Sequence, residues 1–139
     1  MIIDEVQVLL RAIPATFATV EGAAELALLK DAPLATPAAY ALIKDEASGE
    51  NQRMSGGVLQ KTEVDFGVVI VVKNVSDRTG AAATKAMEPL KIATRQALLG
   101  ELLDGADDVI THVSGTLIRA ANGVLWWEEI FATSYLLEA

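Results

Sequence analysis

Carboxylates are the side chains of this sequence best suited to chemistry, and Asp104, Asp107 and Asp108 form one close group of them. Such oxygens are the ligands that hard divalent cations prefer. A calcium-binding loop, however, alternates its acids and closes with a glutamate, and the Asp-x-x-Asp-Asp spacing does not follow that pattern. The spacing therefore predicts a solvated loop, and we expect no metal ion or cofactor.

His112, the only histidine, is the second candidate for chemistry. One imidazole cannot form a zinc site by itself, and a chain without cysteine supplies no thiolate ligand. Nothing in the sequence places a nucleophile beside this ring, as a catalytic pair would require. We interpret His112 as an ordinary strand residue, and the lack of cysteine also excludes disulfides.

Glu128 and Glu129 are adjacent inside an apolar segment. Neighbouring strand residues point to opposite faces of a sheet, so these carboxylates cannot act as a catalytic dyad. Glu129 is expected to pair with a cation such as Arg119, across a hairpin or on a neighbouring subunit. Such a pair contributes at most about 1 kcal/mol where it is exposed. The inventory of polar residues predicts a protein that is not an enzyme.

The segment around these glutamates predicts a β-hairpin. Asn122-Gly123 separates two apolar runs, and both residues tolerate the positive φ of a type I′ turn. In the outgoing arm, residues 124–137, strand alternation produces two largely apolar faces. One face carries Leu125, Trp127, Glu129, Phe131, Thr133, Tyr135 and Leu137, and the other carries Trp126, Ile130, Ala132 and Leu136. We expect one face to meet the core and the other to meet a partner.

The length of this arm is a second constraint. At about 3.3 Å per residue it would reach roughly 46 Å. A compact domain of 139 residues is only roughly 37 Å across. The arm must bend, bulge or project, which predicts a protruding C-terminal hairpin.

Composition favours burial between subunits. Hydrophobic residues make up 52% of the chain and the mean hydropathy is +0.35. The longest apolar run, residues 66–72, is nevertheless far too short to cross a bilayer. No basic segment precedes an apolar one at the N-terminus, so we expect neither a signal peptide nor a membrane partner. The excess apolar surface predicts a homo-oligomer.

Charge narrows the possible partners further. The net charge of −8 and the pI near 4.5 argue against a protein that reads nucleic-acid sequence, because such proteins present a basic face. A surface past which DNA slides without sticking stays compatible with this charge, since like charges repel.

The length of 139 residues predicts one domain, residues 1–139. Apolar residues at helical spacing predict a helix over residues 2–13, and a longer helix begins at Ala81 and contains Pro89. Residues 58–74 have apolar side chains on both faces, as a central strand does. A turn is expected at 74–80.

Between the early elements and the central strand, the Gly- and Ser-rich residues 48–57 predict a mobile loop whose only cation is Arg53. Helices at the start and in the middle of the chain, with strands between and after them, predict an α+β fold. We expect a mainly antiparallel, twisted sheet with the helices packed on one face.

Four stretches of the chain carry a family resemblance. In order they read VEGAAEL (20–26), PAAYAL (37–42), MEPL with ALLG (87–90 and 97–100) and GVLWWEEIFATSY (123–135). Together they resemble the tail terminator (tail completion) proteins of long-tailed bacteriophages and prophages. One difference is that family members often carry a tryptophan after the glycine that ends the long helix, where this chain has Glu101.

The resemblance implies a structural virion protein that caps the head-proximal end of the tail tube, ends tube polymerisation and offers a docking surface to the head and neck. It implies a homo-oligomer, a hexameric ring, that contacts the tail tube protein and a neck or connector protein. DNA would only pass through the lumen. The implied location is the virion tail, after assembly in the bacterial host cytoplasm. We expect the oligomer or tube interface to use Arg53, Met54, Val58, Arg119, Trp126, Glu128 and Ile130.

Three alternatives stay open from the sequence. A head-completion or connector protein of the neck would also be a virion assembly protein of similar size. A small-molecule-binding α+β domain would need a concave pocket with converging polar groups, for which the sequence offers few candidates. A generic dimeric structural module is the third.

Overall fold

In the described part of the chain the fold is a five-stranded sheet with three helices. The computed structural model describes residues 2–29, 31–33, 35–74 and 81–139. In chain order the elements are α1 (Ile2–Arg11), β1 (Thr19–Gly22), α2 (Ala23–Ala27), β2 (Ala38–Ser48), β3 (Leu59–Lys73), α3 (Ala81–Leu98), β4 (Thr111–Ala121) and β5 (Val124–Glu138). The strands lie in the order β1-β2-β3-β5-β4, with β1 and β2 parallel and the other pairs antiparallel. The predicted α+β class and mainly antiparallel sheet are confirmed.

The main core lies between the sheet and the helices α1 and α3. Val6 and Leu10, four residues apart on α1, are fully buried there, as the helical spacing predicts. Met87 and Leu90 of α3 join the same cluster. The prediction that the helices pack on one face does not hold for the short helix α2, because its Leu26 packs against a second apolar cluster on the opposite side of the sheet.

The strand β3 has buried side chains on both of its faces. Phe66 and Ile70 belong to the main core, whereas Val69 and Val71 belong to the second cluster. It pairs with β2 along one edge and with β5 along the other, so its backbone is hydrogen-bonded on both sides. The predicted central strand is confirmed.

The C-terminal hairpin turns at Asn122 (φ 54°) and Gly123 (φ 77°), the two successive positive φ angles of a type I′ turn. Its outgoing strand β5 pairs with β3 over fifteen positions. The incoming strand β4 is interrupted between His112 and Ser114 and again between Leu117 and Arg119. The long arm is therefore held by β3, and the bulges lie in β4 rather than in the arm itself.

Some predicted boundaries shift. The first helix ends at Arg11, before Pro14, which cannot continue a helix. The long helix α3 begins at Ala81 and contains Pro89, as predicted. The turn predicted at 74–80 lies outside the described residues except for Asn74, whose N–H donates to Gly123 O at 2.8 Å.

Within the described ranges, no helix is long and apolar enough to span a membrane.

The stack of Phe66 on Phe131 tests this account of the core. The ring centroids lie 5.6 Å apart, and both side chains are fully buried. Phe131→Ala is expected to lower the free energy of unfolding by about 3–5 kcal/mol, because the cavity it leaves is lined by fixed strands. Urea unfolding measures the loss. Leu136→Ala, at a side chain 46% exposed on the same strand, should change stability by less than about 1 kcal/mol. Equal losses in the two variants would contradict the assignment.

Candidate assembly surface

Alternation along β5 divides its side chains between two environments. Trp127, Glu129 and Phe131 face the helices, and Phe131 and Glu129 are completely buried. Glu128 faces the other side of the sheet, where it meets Lys44. The prediction that the two adjacent glutamates cannot form a dyad is confirmed.

Glu129 is the centre of a polar cluster beneath α3. Its carboxylate accepts two hydrogen bonds from the guanidinium of Arg95, from Nε at 2.7 Å and from Nη2 at 2.8 Å. The Nε1–H of Trp127 donates to it at 2.7 Å, and Nε2 of His112 lies at the same distance. A planar guanidinium fits a carboxylate in this two-point manner.

These donors decide the ionisation state of Glu129. Burial by itself raises the pKa of a carboxyl group. The hydrogen bonds from Arg95, Trp127 and His112, together with the charge of Arg95, outweigh burial and hold the pKa of Glu129 below its ordinary value. The same contact raises the pKa of Arg95. The carboxylate is thus an ionised acceptor with its oxygens occupied, suited to fastening α3 to the hairpin.

The predicted partner of Glu129 was wrong. The cation is Arg95 of α3, not Arg119 of the hairpin. Lys91, one turn earlier on α3, has its Nζ 4.0 Å from the centre of the Trp127 ring. The signal that could have identified them is their spacing. Lys91 and Arg95, four residues apart, share one face of a helix, and Trp127 and Glu129, two residues apart, share one face of a strand. The two pairs can therefore face each other.

Gly115 of β4 makes room for this cluster. A Cβ at this position would lie 2.7 Å from Oε1 of Glu129 and 2.8 Å from Cζ2 of Trp127. Both distances are shorter than van der Waals contact allows, so only glycine lets the two side chains lie against β4.

In the acidic group that follows α3, Asp104 with Asp107 and Asp108, the side chain of Asp108 has hydrogen-bond partners. Asp108 accepts hydrogen bonds from Lys61 at 2.7 Å and from Ser134 at 2.9 Å. The Lys61 contact, and then the Ser134 contact, hold the pKa of Asp108 below its ordinary value. The group fastens the loop before β4 to β3 and β5. Among the described residues, no set of three His, Asp or Glu side chains is arranged to hold a metal ion.

Four of the seven predicted interface residues share the face of the sheet away from α1 and α3, which we call the outer face. Trp126, Glu128 and Ile130 are half-buried there. Arg119 is exposed and lies opposite Trp126 in the register of β4 and β5. Glu128 pairs with Lys44 at 3.1 Å, above Gly67, where an added Cβ would lie 3.1 Å from the carboxylate.

The other three residues lie at the far end of the sheet. Val58 exchanges backbone hydrogen bonds of 2.7 and 3.0 Å with Ala139. Arg53 pairs with Glu138, and Met54 is fully exposed. At about 3.3 Å per residue, eight strand residues separate this end from Ile130 by roughly 26 Å. The seven predicted interface residues therefore lie in two separate groups, and the role of each group as an interface stays a prediction.

The loop between β2 and β3 has hydrogen bonds of its own. The side chain of Asn51 accepts from the N–H groups of Arg53 and Leu59, at 3.1 and 2.9 Å. It also donates to Gly57 O at 3.2 Å. These bonds define the loop's shape, and its mobility stays a prediction.

Comparison with known proteins identifies the class first. A chain of a solved structure titled "Virion of native gene transfer agent (GTA) particle" superposes with a TM-score of 0.58 at 19% identity, covering 96% of this chain and 92% of that one. This similarity establishes the fold. No curated protein sequence matches the chain. The fold, together with a sequence match to a family of phage tail proteins over residues 4–139, defines a structural protein of the virion tail.

The family itself follows from the sequence match. The model described as "Phage tail terminator protein" matches residues 4–139, nearly the whole chain. The protein therefore belongs to the phage tail terminator family, and the resemblance noted from the four sequence stretches is confirmed.

The Glu129 cluster predicts a pH-dependent stability. Its folded-state pKa lies below the unfolded value of about 4.3, so its stabilisation is present above that pH and is lost as pH falls through the folded pKa. Glu129→Gln should lower the free energy of unfolding at neutral pH by about 2–3 kcal/mol. This loss is smaller than for a fully buried pair because Arg95 is 36% exposed. The variant should also lose less stability than the wild type on acidification.

The matched control is Glu128→Gln, one residue away on the outer face. Its ion pair with Lys44 is partly solvated, so the expected loss is below about 1 kcal/mol. Chemical unfolding at several pH values between about 3 and 7 provides both comparisons. Parallel pH curves for wild type and Glu129→Gln would contradict the role given to this carboxylate.

Proposed function

We propose that the protein caps the head-proximal end of the phage tail tube, ends tube polymerisation and provides the docking surface for the head and neck. The observation that carries this proposal is the family match over residues 4–139. A cap acts through its shape and its surface. The Glu129 cluster agrees with such a role, because hydrogen bonds occupy the carboxylate oxygens and hold α3 on the hairpin.

The outer face supports a role in binding other chains. Leu26 and Leu29 pack against one part of it, around Tyr40 and Val71. Further along the sheet Ile130 stays half-buried and Leu136 is 46% exposed. Apolar sheet surface of this kind is typical of protein interfaces. We assign one contact between subunits to the outer face of β5, with Arg119 at its margin.

The proposed oligomer is a closed ring of six copies. In such a ring each subunit uses two different patches, because every contact is head-to-tail. We place the second contact at residues 48–57 and the flanking strand ends, where Arg53, Met54 and Val58 would meet the tube or a neighbouring subunit. The net charge of −8 supports a lumen through which DNA passes without binding. Assembly would take place in the host cytoplasm, before the tail joins the head.

Tail length tests the capping role. Tails assembled without this protein should be longer than normal in electron micrographs, because nothing stops the addition of tube subunits. Restoring the protein should return the normal length. Tails of normal length that lack heads would instead support a head-completion or connector protein.

The two adjacent tryptophans test where the interface lies. Trp126→Ala, on the outer face, is expected to keep the fold while weakening the contact between subunits, and with it capping of the tube end, by at least about tenfold. Trp127→Ala is expected to cost about 3–5 kcal/mol of stability, because that ring packs on the main core and meets Lys91. Near-ultraviolet circular dichroism measures the fold, and tube-capping assays measure attachment. Full capping by Trp126→Ala would exclude the outer face as the contact.

A further inference from the structure

We propose that the exposed edge of β4, with Arg119 and Ile118, docks into an acidic groove of the next copy of this chain. The groove lies between α1 and residues 101–104. This inference rests on the proposed ring. It assigns the contact between subunits to these two surfaces, which leaves residues 48–57 to meet the tube.

The groove combines an apolar floor with an acidic rim. It encloses about 320 Å³. Val8 and Leu102 are 61% and 60% exposed in it, large fractions for apolar side chains. Its charged lining residues are Asp4, Glu5, Glu101 and Asp104. Because all four are acids, the groove suits a partner that is apolar and positively charged.

Glu5 adds an unsatisfied acceptor to this groove. Its Oε1 accepts the backbone N–H of Asp104 at 2.8 Å. Its Oε2 is shielded from solvent and has no hydrogen-bond partner among the described residues. A carboxylate oxygen in that situation is destabilising, because it has lost water without gaining a donor. Since this oxygen is shielded from solvent, a guanidinium from another subunit would supply the donor only after the Glu5 side chain turns outward.

The edge of β4 has the complementary chemistry. The chain has 19 acidic residues, and none of them lies in Thr111–Ala121. Leu117 and Ile118 are 49% and 52% exposed. Within the part of the chain that the structure describes, Arg119 forms no salt bridge. In the described sheet, β4 is also an outermost strand, whose unpaired backbone groups favour contact with another chain.

The positions of the two surfaces fit a head-to-tail contact. The groove lies on the helix side of the sheet, between α1 and the loop that follows α3, whereas Arg119 lies on the outer face near the hairpin turn, opposite Trp126. One molecule therefore cannot bring its own Arg119 into its own groove. Two copies can, and the contact leaves a free groove and a free edge at the ends of the pair, so further copies can add until a ring closes. Arg119 also borders Trp126, so this contact continues the outer face.

Charge exchange between the two surfaces tests the inference. The variants are Arg119→Glu and Glu101→Arg, since the Glu101 side chain is on the exposed rim and has no structural partner in the described residues. Each alone places like charges across the contact and should weaken assembly by more than about tenfold. Mixed in equal amounts, they should recover assembly, because an alternating ring pairs the introduced glutamate with the introduced arginine and the native charges with each other. Lys85→Glu, an equal charge reversal on α3, is the control.

Assembly is measured by sedimentation of the free protein and by capping of tubes grown from the purified tail tube protein, with circular dichroism to check the fold. Loss in each single variant, recovery in the mixture and no loss in the control support the contact. Full assembly by the single variants, or no recovery in the mixture, overturns it. Wild-type protein that leaves tube length unchanged would instead reject the proposed capping function, so the two failures are distinguishable.

Discussion

The antiparallel pairing of β3 with β5 is the constraint on which the rest of this structure depends. Two strands of fifteen residues hold each other over their whole length, from Leu59–Glu138 to Lys73–Val124. The strand β2 adds to the free side of β3, and β4 adds to the free side of β5. Since the two central strands carry apolar side chains on both faces, their pairing creates two apolar surfaces at once. Each of these apolar surfaces must be covered by other elements or stay exposed.

The surface towards α1 and α3 is covered, and a charge is enclosed within it. Burying a carboxylate is costly unless donors replace the lost water. Glu129 receives these donors from three elements, α3, β4 and β5. The donors must all be in place together, so the cluster fixes how α3 lies on the hairpin. The role of the cluster is therefore to hold these elements in place, which suits a structural member of the tail terminator family.

The opposite surface is covered only in part, by the region around α2. The same alternation that encloses Glu129 leaves Trp126 and Ile130 half-exposed, because their side chains point the other way. Together with the acid-free edge of β4 and the acidic groove beside α1, this surface is available to other chains. A structural protein of the tail binds other chains through such surfaces and does not depend on a ligand pocket.

Local sequence patterns determined much of this fold by themselves. The period-two alternation of β3 and β5, the Asn122-Gly123 turn and the amphipathic α1 are properties of neighbouring residues, and each was predictable because backbone geometry fixes those periods and φ angles. The order of four short stretches also identified the family. Only the tertiary structure decided which distant side chains meet. Arg95 and Glu129 are 34 positions apart, and their contact depends on the rotation of α3 over the sheet, which no local pattern encodes. The parallel pairing of β1 with β2 and the placement of α2 on the outer side were decided in the same way, because long-range packing selects among faces that the sequence leaves equivalent.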